Sequence, residues 1–269
     1  MLVVIRGAGD LASGIALRLW RSGVSLVMTD LPRPTSIRRT VCFSEAIRLG
    51  QTRVEDVEAR RAETPEAALA LLRQDILPVL PDPKAACVAA LRPDAVVDAI
   101  LAKKNLGTAI HDAPTVIGVG PGFTAGVDCH AVVETKRGHY LGRVIHKGGA
   151  IPDTGIPGNI AGHSADRVLR APRAGTFTPV RKIGDRVTAG ETAATVDGVP
   201  MPCTIDGVLR GLLPEGTEVF PGMKSGDIDP RPEAYDHCFL ASEKALAIGG
   251  GVLEAILERT SALRGGERP

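Results

Sequence analysis

Residues 3–20 read VVIRGAGDLASGIALRLW, and this stretch restricts the fold more tightly than any other. An apolar run ends at Arg6, two glycines flank one alanine, and apolar residues at 11, 15, 16 and 19 then follow a helical period. A strand buried on both faces that turns at once into a helix is the first part of a βαβ unit. The spacing Gly7-x-Gly9-x-x-Ala12 is that of a phosphate-binding turn. Gly7 permits the turn, Gly9 lets the main chain approach a phosphate, and small Ala12 lets the helix sit close to the sheet. The first amides of the helix would then face the anion. Asp30 closes the next apolar run, 21 residues after Gly9, where an acid is expected to meet a ribose hydroxyl.

Two neighbours complicate that turn. Asp10 follows Gly9 directly, and a carboxylate beside a pyrophosphate is unfavourable unless it turns away; it could instead serve as the helix N-cap. Arg33, Arg38 and Arg39 follow Asp30 in DLPRPTSIRRT. Guanidinium groups there suit a further phosphate, although a solvated basic loop would look the same.

Four textures divide the chain. Residues 1–105 alternate apolar runs with helical patterns, among them FSEAIRLG closed by Gly50, and TPEAALALLRQ with Thr64 as cap and Pro65 at the first helical position. The expected fold is α/β, with a Rossmann-like parallel sheet as a nucleotide-binding domain over 1–105. A Gly-rich β region occupies 106–170. Residues 171–230 hold two echoing halves, the pattern of a small all-β barrel of biotinyl or lipoyl type. A C-terminal helix over 231–269 is expected to pack back on the α/β domain. Carrier domains present a lysine between such halves, but the sequence there is VDGVPMP, and Lys182 and Lys224 lie in other turns. The barrel is therefore expected to dock or cover rather than carry.

Composition removes several function classes. The net charge is +1 and aromatics make up 3%, so neither the basic footprint nor the stacking platforms of a nucleic-acid binder are present. Five scattered cysteines with no CxxC argue against a disulfide framework or a zinc knuckle. No charged leader precedes the first strand, and ALAIGGGVLEAIL is too short and glycine-rich to cross a bilayer, so a cytoplasmic location without membrane contact is expected.

GPGFTAGVDCHAVVET, residues 120–135, is the richest stretch for chemistry. Gly120, Gly122 and Gly126 could form a backbone nest for an anion. Asp128 and His130 bracket Cys129 at a spacing that puts both on one face of a strand, which suits proton transfer and suits equally a pair that orients the loop. Cys129 is the candidate thiol for sulfur or selenium transfer, with Cys42 behind it, although a cysteine in such a place is commonly a small buried hydrophobe. No third ligand is spaced near Asp128 and His130, so no metal is assigned; His111, His146 and His163 lie elsewhere in the sequence. Lys103, Lys104 and Asn105 follow the last α/β strand and could meet phosphate, or form a solvated turn.

Taken together, IRGAGDLASGIALRLWRSG, RRTVCFSEAI, GPGFTAGVDCHAVVETKRGHYLGRVI, DTGIPG, RVLRAPRAGTF and GDIDPR closely resemble the YqeB-type accessory proteins of selenium-dependent molybdenum hydroxylase systems. The N-terminal half is more distantly similar to the Rossmann domain of XdhC-type accessory proteins. The resemblance spans nearly the whole chain. It implies a factor that helps mature or insert a molybdenum cofactor for a hydroxylase client, and it supplies no catalytic residue.

The expected activity is therefore that of a maturation factor. Gly7, Gly9, Asp10, Ala12, Asp30, Arg38, Arg39, Gly120 and Gly122 would hold a nucleotide or dinucleotide, either NAD(P) or a molybdopterin-type ligand. Asp128, Cys129 and His130 would sit near its reactive end. The competing expectation is an NAD(P)-dependent oxidoreductase with His130 or a lysine as proton donor, but no Tyr-x-x-x-Lys pair follows the first domain. Association into a homo-oligomer is left open.

Overall fold

The computed structural model describes residues 1–155 and 158–260. The chain forms two compact units. Residues 1–32, 43–153 and 241–260 make unit 1, and residues 33–42 and 154–240 make unit 2.

Unit 1 is built on one sheet. In chain order it contains β1 (Leu2–Arg6), α1 (Asp10–Arg21), β2 (Ser25–Thr29), α2 (Glu45–Leu49), β3 (Gln51–Val54), β4 (Val57–Arg61), α3 (Pro65–Leu72), β5 (Leu77–Leu80), α4 (Cys87–Leu91), β6 (Ala95–Asp98), β7 (Thr115–Val119), β8 (Ala131–Val133) and β9 (Val144–Ile145). The strand order is β3-β4-β5-β2-β1-β6-β7-β8-β9. From β4 to β8 every neighbouring pair is parallel; β3 and β9 close the two sides antiparallel. The central strands are continuous apolar runs because both their faces are covered, and Val3, Val4, Ile5, Val96, Val97, Val116 and Ile117 have no exposed surface. Thr64 caps α3 by accepting the Ala67 N–H at 3.2 Å, with Pro65 at the first helical position.

This sheet corrects the expected architecture. It is mixed rather than parallel, and it does not stop at residue 105. The strands TVIGV and AVV of the Gly-rich stretch are buried throughout, so each needs a hydrogen-bonding neighbour on both sides; they find these by extending the same sheet beyond β6. Residues 154–170 belong instead to unit 2. The segment 106–170 is thus not a region of its own.

Unit 2 contains β10 (Val168–Arg170), β11 (Gly175–Pro179), β12 (Arg186–Val187), β13 (Thr192–Val196), β14 (Val199–Pro202), β15 (Gly207–Leu212), β16 (Thr217–Val219), β17 (Lys224–Asp229) and the short helix α5 (Ala234–His237). It is not a closed barrel. Two four-stranded antiparallel sheets have the orders β10-β17-β15-β12 and β14-β13-β11-β16. The echo between the halves explains this pairing: β13-β11-β16 in one sheet corresponds to β17-β15-β12 in the other, so each half lends its short middle strand to its partner. Phe177, Leu209 and Ile228 fill the space between them. The unit also extends beyond 171–230, because residues 33–42 are built into it. Ile37 O accepts the Leu212 N–H at 2.8 Å, and a Cβ at Gly211 would lie 3.2 Å from Ile37.

The C-terminal helix α6 (Glu243–Thr260) returns to unit 1 and packs on α1; it begins later than residue 231, since 231–240 stay in unit 2. A Cβ at Gly14 would run into Ala245, and one at Gly249 would lie 2.9 Å from Gly14 O and 2.8 Å from Arg18 Cγ. Moving four residues along one helix moves the contact four along the other, so α1 and α6 are parallel and in step. Gly251 lies against Gly142 O. Close helix approach therefore accounts for two of the three consecutive glycines in α6. Among the described residues no helix is long and apolar enough to cross a membrane.

Candidate functional site at the carboxyl edge of the sheet

The strands from β4 to β8 point the same way, so their C-terminal ends share one edge, where ligands bind in open α/β sheets. The Gly7–Gly9 turn lies there, at the centre of the sheet. Gly7 has φ +99°, and a Cβ on it would lie 2.9 Å from Ala99 O after β6. Its N–H donates to Thr29 O at 2.8 Å. Gly9 is the N-cap of α1 at φ −75°, ψ −171°, and makes no side-chain cap hydrogen bond. Asp10 is thus the first helical residue rather than the cap. Ala12 is buried against the sheet. Asp30 is brought to the turn as its spacing suggests: Oδ2 accepts the Ala8 N–H at 2.8 Å and Oδ1 the Leu31 N–H at 2.7 Å. Burial raises the Asp30 carboxyl above the usual carboxylate value, and those two N–H groups oppose the shift.

Next to the turn, the ends of β1 and β6 carry a buried charge pair. Arg6 Nη1 lies 3.5 Å from Asp98 Oδ2 and also donates to Thr108 Oγ1, which donates in turn to Asp98 at 2.6 Å. Asp98 Oδ1 accepts the Ile100 N–H at 3.1 Å. Asn105 ties down the loop that follows, accepting from the Gly107 and Thr108 amides at 2.9 and 2.8 Å. Within this loop Leu101 and Lys103 hold φ +60° and +62°, a conformation that non-glycine residues keep only where their surroundings enforce it. Lys103 Nζ meets Asp153 Oδ2 at 2.6 Å. After β8, buried Glu134 accepts from the amides of Thr135 and Lys136 at 2.7 Å and of Ile151 at 2.8 Å.

Lys244, in the first turn of α6, completes the edge. Burial lowers its pKa; Arg137 lowers it further, while Asp10, Glu134 and Asp153 pull it back up. Sequence reasoning missed Arg6, Asp98, Glu134 and Lys244. For Asp98 and Glu134 there was a signal: in AVVD and AVVE an acid ends a wholly apolar run, the place where a parallel strand delivers a side chain to the carboxyl edge.

Asp128, Cys129 and His130 are not there. They immediately precede β8 and so stand at the amino edge, the opposite side of the sheet from Gly9. Asp128 accepts the Thr124 N–H at 2.7 Å and shapes its own loop. Cys129 is fully buried, and burial pushes its thiol up to about 11, the reverse of what a transfer nucleophile needs. His130 Nδ1 accepts the Val116 N–H at 2.9 Å; burial and the Arg259 charge lower its pKa. Cys42 is likewise buried.

The structure also places the other residues expected at the site. Gly120 and Gly122 follow β7 at the carboxyl edge but form no open nest. The Gly120 N–H is taken by Val133 O at 2.9 Å, and a Cβ at Gly122 would lie 2.7 Å from the Lys104 backbone. Their smallness serves close packing of main chain on main chain. Gly126 donates to Cys129 O. Arg33, Arg38 and Arg39 belong to unit 2. Arg38 Nη2 donates to His237 O at 3.0 Å and Leu240 O at 3.3 Å, and Arg39 Nε to Leu212 O at 2.7 Å. These two guanidinium groups hold residues 33–42 in place. The histidines do not converge: His146 is 3.3 Å from Glu258, His163 pairs with Asp166 in unit 2, and His111 is exposed. Among the described residues no three His, Cys, Asp or Glu side chains are grouped to hold a metal ion. The hairpin tip between β13 and β14 is Asp197-Gly198.

Over 256 residues, 95% of its length, the chain is 50% identical to the uncharacterized protein YqeB of Escherichia coli strain K12. It is a relative of YqeB. It spans about half of that protein, 47% of its length. No family model matches the chain. Among solved structures, an aspartoacylase family protein from Mesorhizobium loti aligns over 86% of this chain and 85% of its own at 12% identity and a TM-score of 0.27. A succinylglutamate desuccinylase from Silicibacter sp. TM1040 aligns over 84% of each chain at 13% identity and a TM-score of 0.26. At such TM-scores neither superposition bears on fold or activity.

Proposed function

We propose that this chain is an accessory factor for a molybdenum hydroxylase of the selenium-dependent type, and that unit 1 holds a phosphate-bearing nucleotide or molybdopterin-type ligand at the carboxyl edge of its sheet. The observation that carries the ligand site is the Gly7–Gly9 turn. At the centre of the sheet, a buried strand passes into a 12-residue helix whose N-cap is a glycine that makes no side-chain cap hydrogen bond, and the first amides of such a helix favour an anion. The accessory role rests on the sequence motifs shared with YqeB-type proteins. An oxidoreductase using His130 as proton donor fits less well, because His130 stands at the other edge with Nδ1 engaged.

The test is titration calorimetry with NAD(H), NADP(H), AMP, CTP and molybdopterin cytosine dinucleotide, on wild type and on Gly9→Asp. The Gly9 backbone conformation is open to any residue, and aspartate caps helices well, so this variant should fold normally while placing a carboxylate against the phosphate. At least one ligand should bind wild type and lose about 100-fold or more in the variant, roughly 2.7 kcal/mol. Binding by none of them, or equal binding to both proteins, would refute the site. Turnover of a bound ligand by the chain alone would refute the accessory role.

A further inference from the structure

We infer that the hairpin joining β8 to β9 is a docking surface for a protein partner that presents acidic side chains around an apolar or aromatic contact. The inference goes beyond the ligand site proposed at Gly9 and does not depend on it.

Residues 136–152 read KRGHYLGRVIHKGGAIP, with four Lys or Arg, two His and no acid, in a chain whose net charge is only +1. Every basic side chain of that run is exposed, and so is Tyr140, one of the chain's two tyrosines.

The fold holds this surface in place. β8 and β9 pair antiparallel, Val132 with Ile145 and Val133 with Val144. Past them the Glu134 N–H donates to Arg143 O at 3.0 Å, and the Gly142 N–H to Glu134 O at 2.9 Å. The buried Glu134 carboxylate also accepts the Thr135 and Lys136 amides, each at 2.7 Å. Behind the hairpin, Gly142 packs on α6: a Cβ on it would lie 2.6 Å from Ala247 O. A hairpin tied at its base and its back loses little freedom when a partner lands on it.

Local needs account for part of the charge. Arg137 pairs with Glu243, and His146 lies 3.3 Å from Glu258. An edge strand such as β9 is commonly blunted by lysine, which accounts for Lys147. Lys136 and Arg143 make no ion pair among the described residues. Tyr140 has no such local purpose. It is 56% exposed, the Arg143 guanidinium lies 5.7 Å from its ring centre, and the His139 ring meets it edge-on at 5.4 Å. A tyrosine set between a guanidinium and an imidazole is the kind of anchor that dominates protein interfaces, and the surrounding cations select an acidic partner.

Other polyanions fit this surface less well. Single-stranded nucleic acid is held by successive stacked bases, whereas this hairpin offers one tyrosine with Arg143 against its ring. A bilayer takes up several apolar side chains, and within 136–147 Tyr140 is the only large one exposed.

The probe is a random copolymer of glutamate and tyrosine, titrated by calorimetry beside polyglutamate, oligothymidylate and phosphatidylserine vesicles. The proteins are wild type, Tyr140→Ala, the double variant Lys136→Glu with Arg143→Glu, and a control double variant, Lys84→Glu with Arg173→Glu. All four substituted cations are exposed and both double variants change the net charge equally; thermal melting checks folding. Wild type should bind the copolymer, and the hairpin double variant should weaken it at least about tenfold against less than about threefold for the control. Tyr140→Ala, which changes no charge, should weaken the copolymer at least about threefold and leave polyglutamate unaffected. Absence of copolymer binding, equal weakening by the two double variants, or no effect of Tyr140→Ala would overturn the inference. Tighter binding of oligothymidylate or of vesicles than of the copolymer would also overturn it. The Gly9 turn takes no part in this readout, so either proposal can fail alone.

Discussion

At the carboxyl edge of the unit 1 sheet, Arg6, Asp98 and Glu134 end buried strands and are fixed by partners within hydrogen-bonding reach, while the helix start at Gly9 carries no side-chain cap hydrogen bond. At the amino edge, Asp128 and His130 have equally suggestive chemistry and spend it on local backbone amides, and Cys129 is buried between them. The helix α6 joins the two, with Lys244 at one end and Glu258 and Arg259 at the other. Residue type does not separate the edges. What separates them is which end of a parallel strand a residue occupies.

The largest expected effect comes from breaking the buried pair. Asp98→Ala leaves the Arg6 guanidinium buried without its carboxylate and should destabilise the protein by about 3–5 kcal/mol in urea unfolding. An equal loss from Asp128→Ala, whose side chain is only half-buried and has no charged partner among the described residues, would erase the distinction between the edges. Gly7→Ala should cost about 2–3 kcal/mol, since φ +99° and the carbonyl of Ala99 both oppose a Cβ. Gly9→Ala, two residues on and without that constraint, should stay within about 1 kcal/mol of wild type.

Gly250 sharpens the comparison from the connecting helix. Unlike Gly249 and Gly251 it is exposed, and a Cβ on it would meet nothing within 4 Å. Gly250→Ala should therefore stabilise by about 0.5–1 kcal/mol through helix propensity alone. A loss of stability would mean that the GGG run is needed flexible rather than merely small.

The smallest effect is a pH dependence at the amino edge. In the fold, neutral His130 accepts the Val116 N–H and its protonated form is disfavoured, so its pKa lies below the ordinary 6.5. The stability this contributes is complete above pH 6.5 and is lost as pH falls through the lowered value. His130→Asn keeps an acceptor at that position and should flatten this part of the stability curve between pH 7 and 5. An unchanged curve would show that His130 does not titrate with folding.

Much of unit 1 was legible because its signals are local. The strand–turn–helix at 3–20, the Thr64-Pro65 helix start, the short helix closed by Gly50 and the apolar strand ILPVL all lie where the sequence puts them, and the strand expected over AVVDAIL is formed by its first four residues. The β3–β4 hairpin was not, because QTRVEDVEARR is charged along its length, as an edge hairpin can be. CHAVVET was legible as a strand, but its direction and partner were not. Pairing with β7 in parallel is what sends Cys129 and His130 to the amino edge and Glu134 to the carboxyl edge. The place of the arginines after Asp30 was not legible for the same reason: nothing local shows that residues 33–42 join strands more than 160 residues further on. The echo in unit 2 was visible, whereas the exchange of one strand between its halves is a property of pairing and had no local trace.

Hydrogen–deuterium exchange of wild type, with and without the tightest-binding nucleotide of the panel, tests most directly where the ligand sits. Protection should appear at Gly9–Ala12, in the loop at 101–108 and in the first turn of α6, with no change around 116 and 124–130. Protection at 116 and 124–130 with none at Gly9–Ala12 would place the ligand on the amino edge and contradict the account.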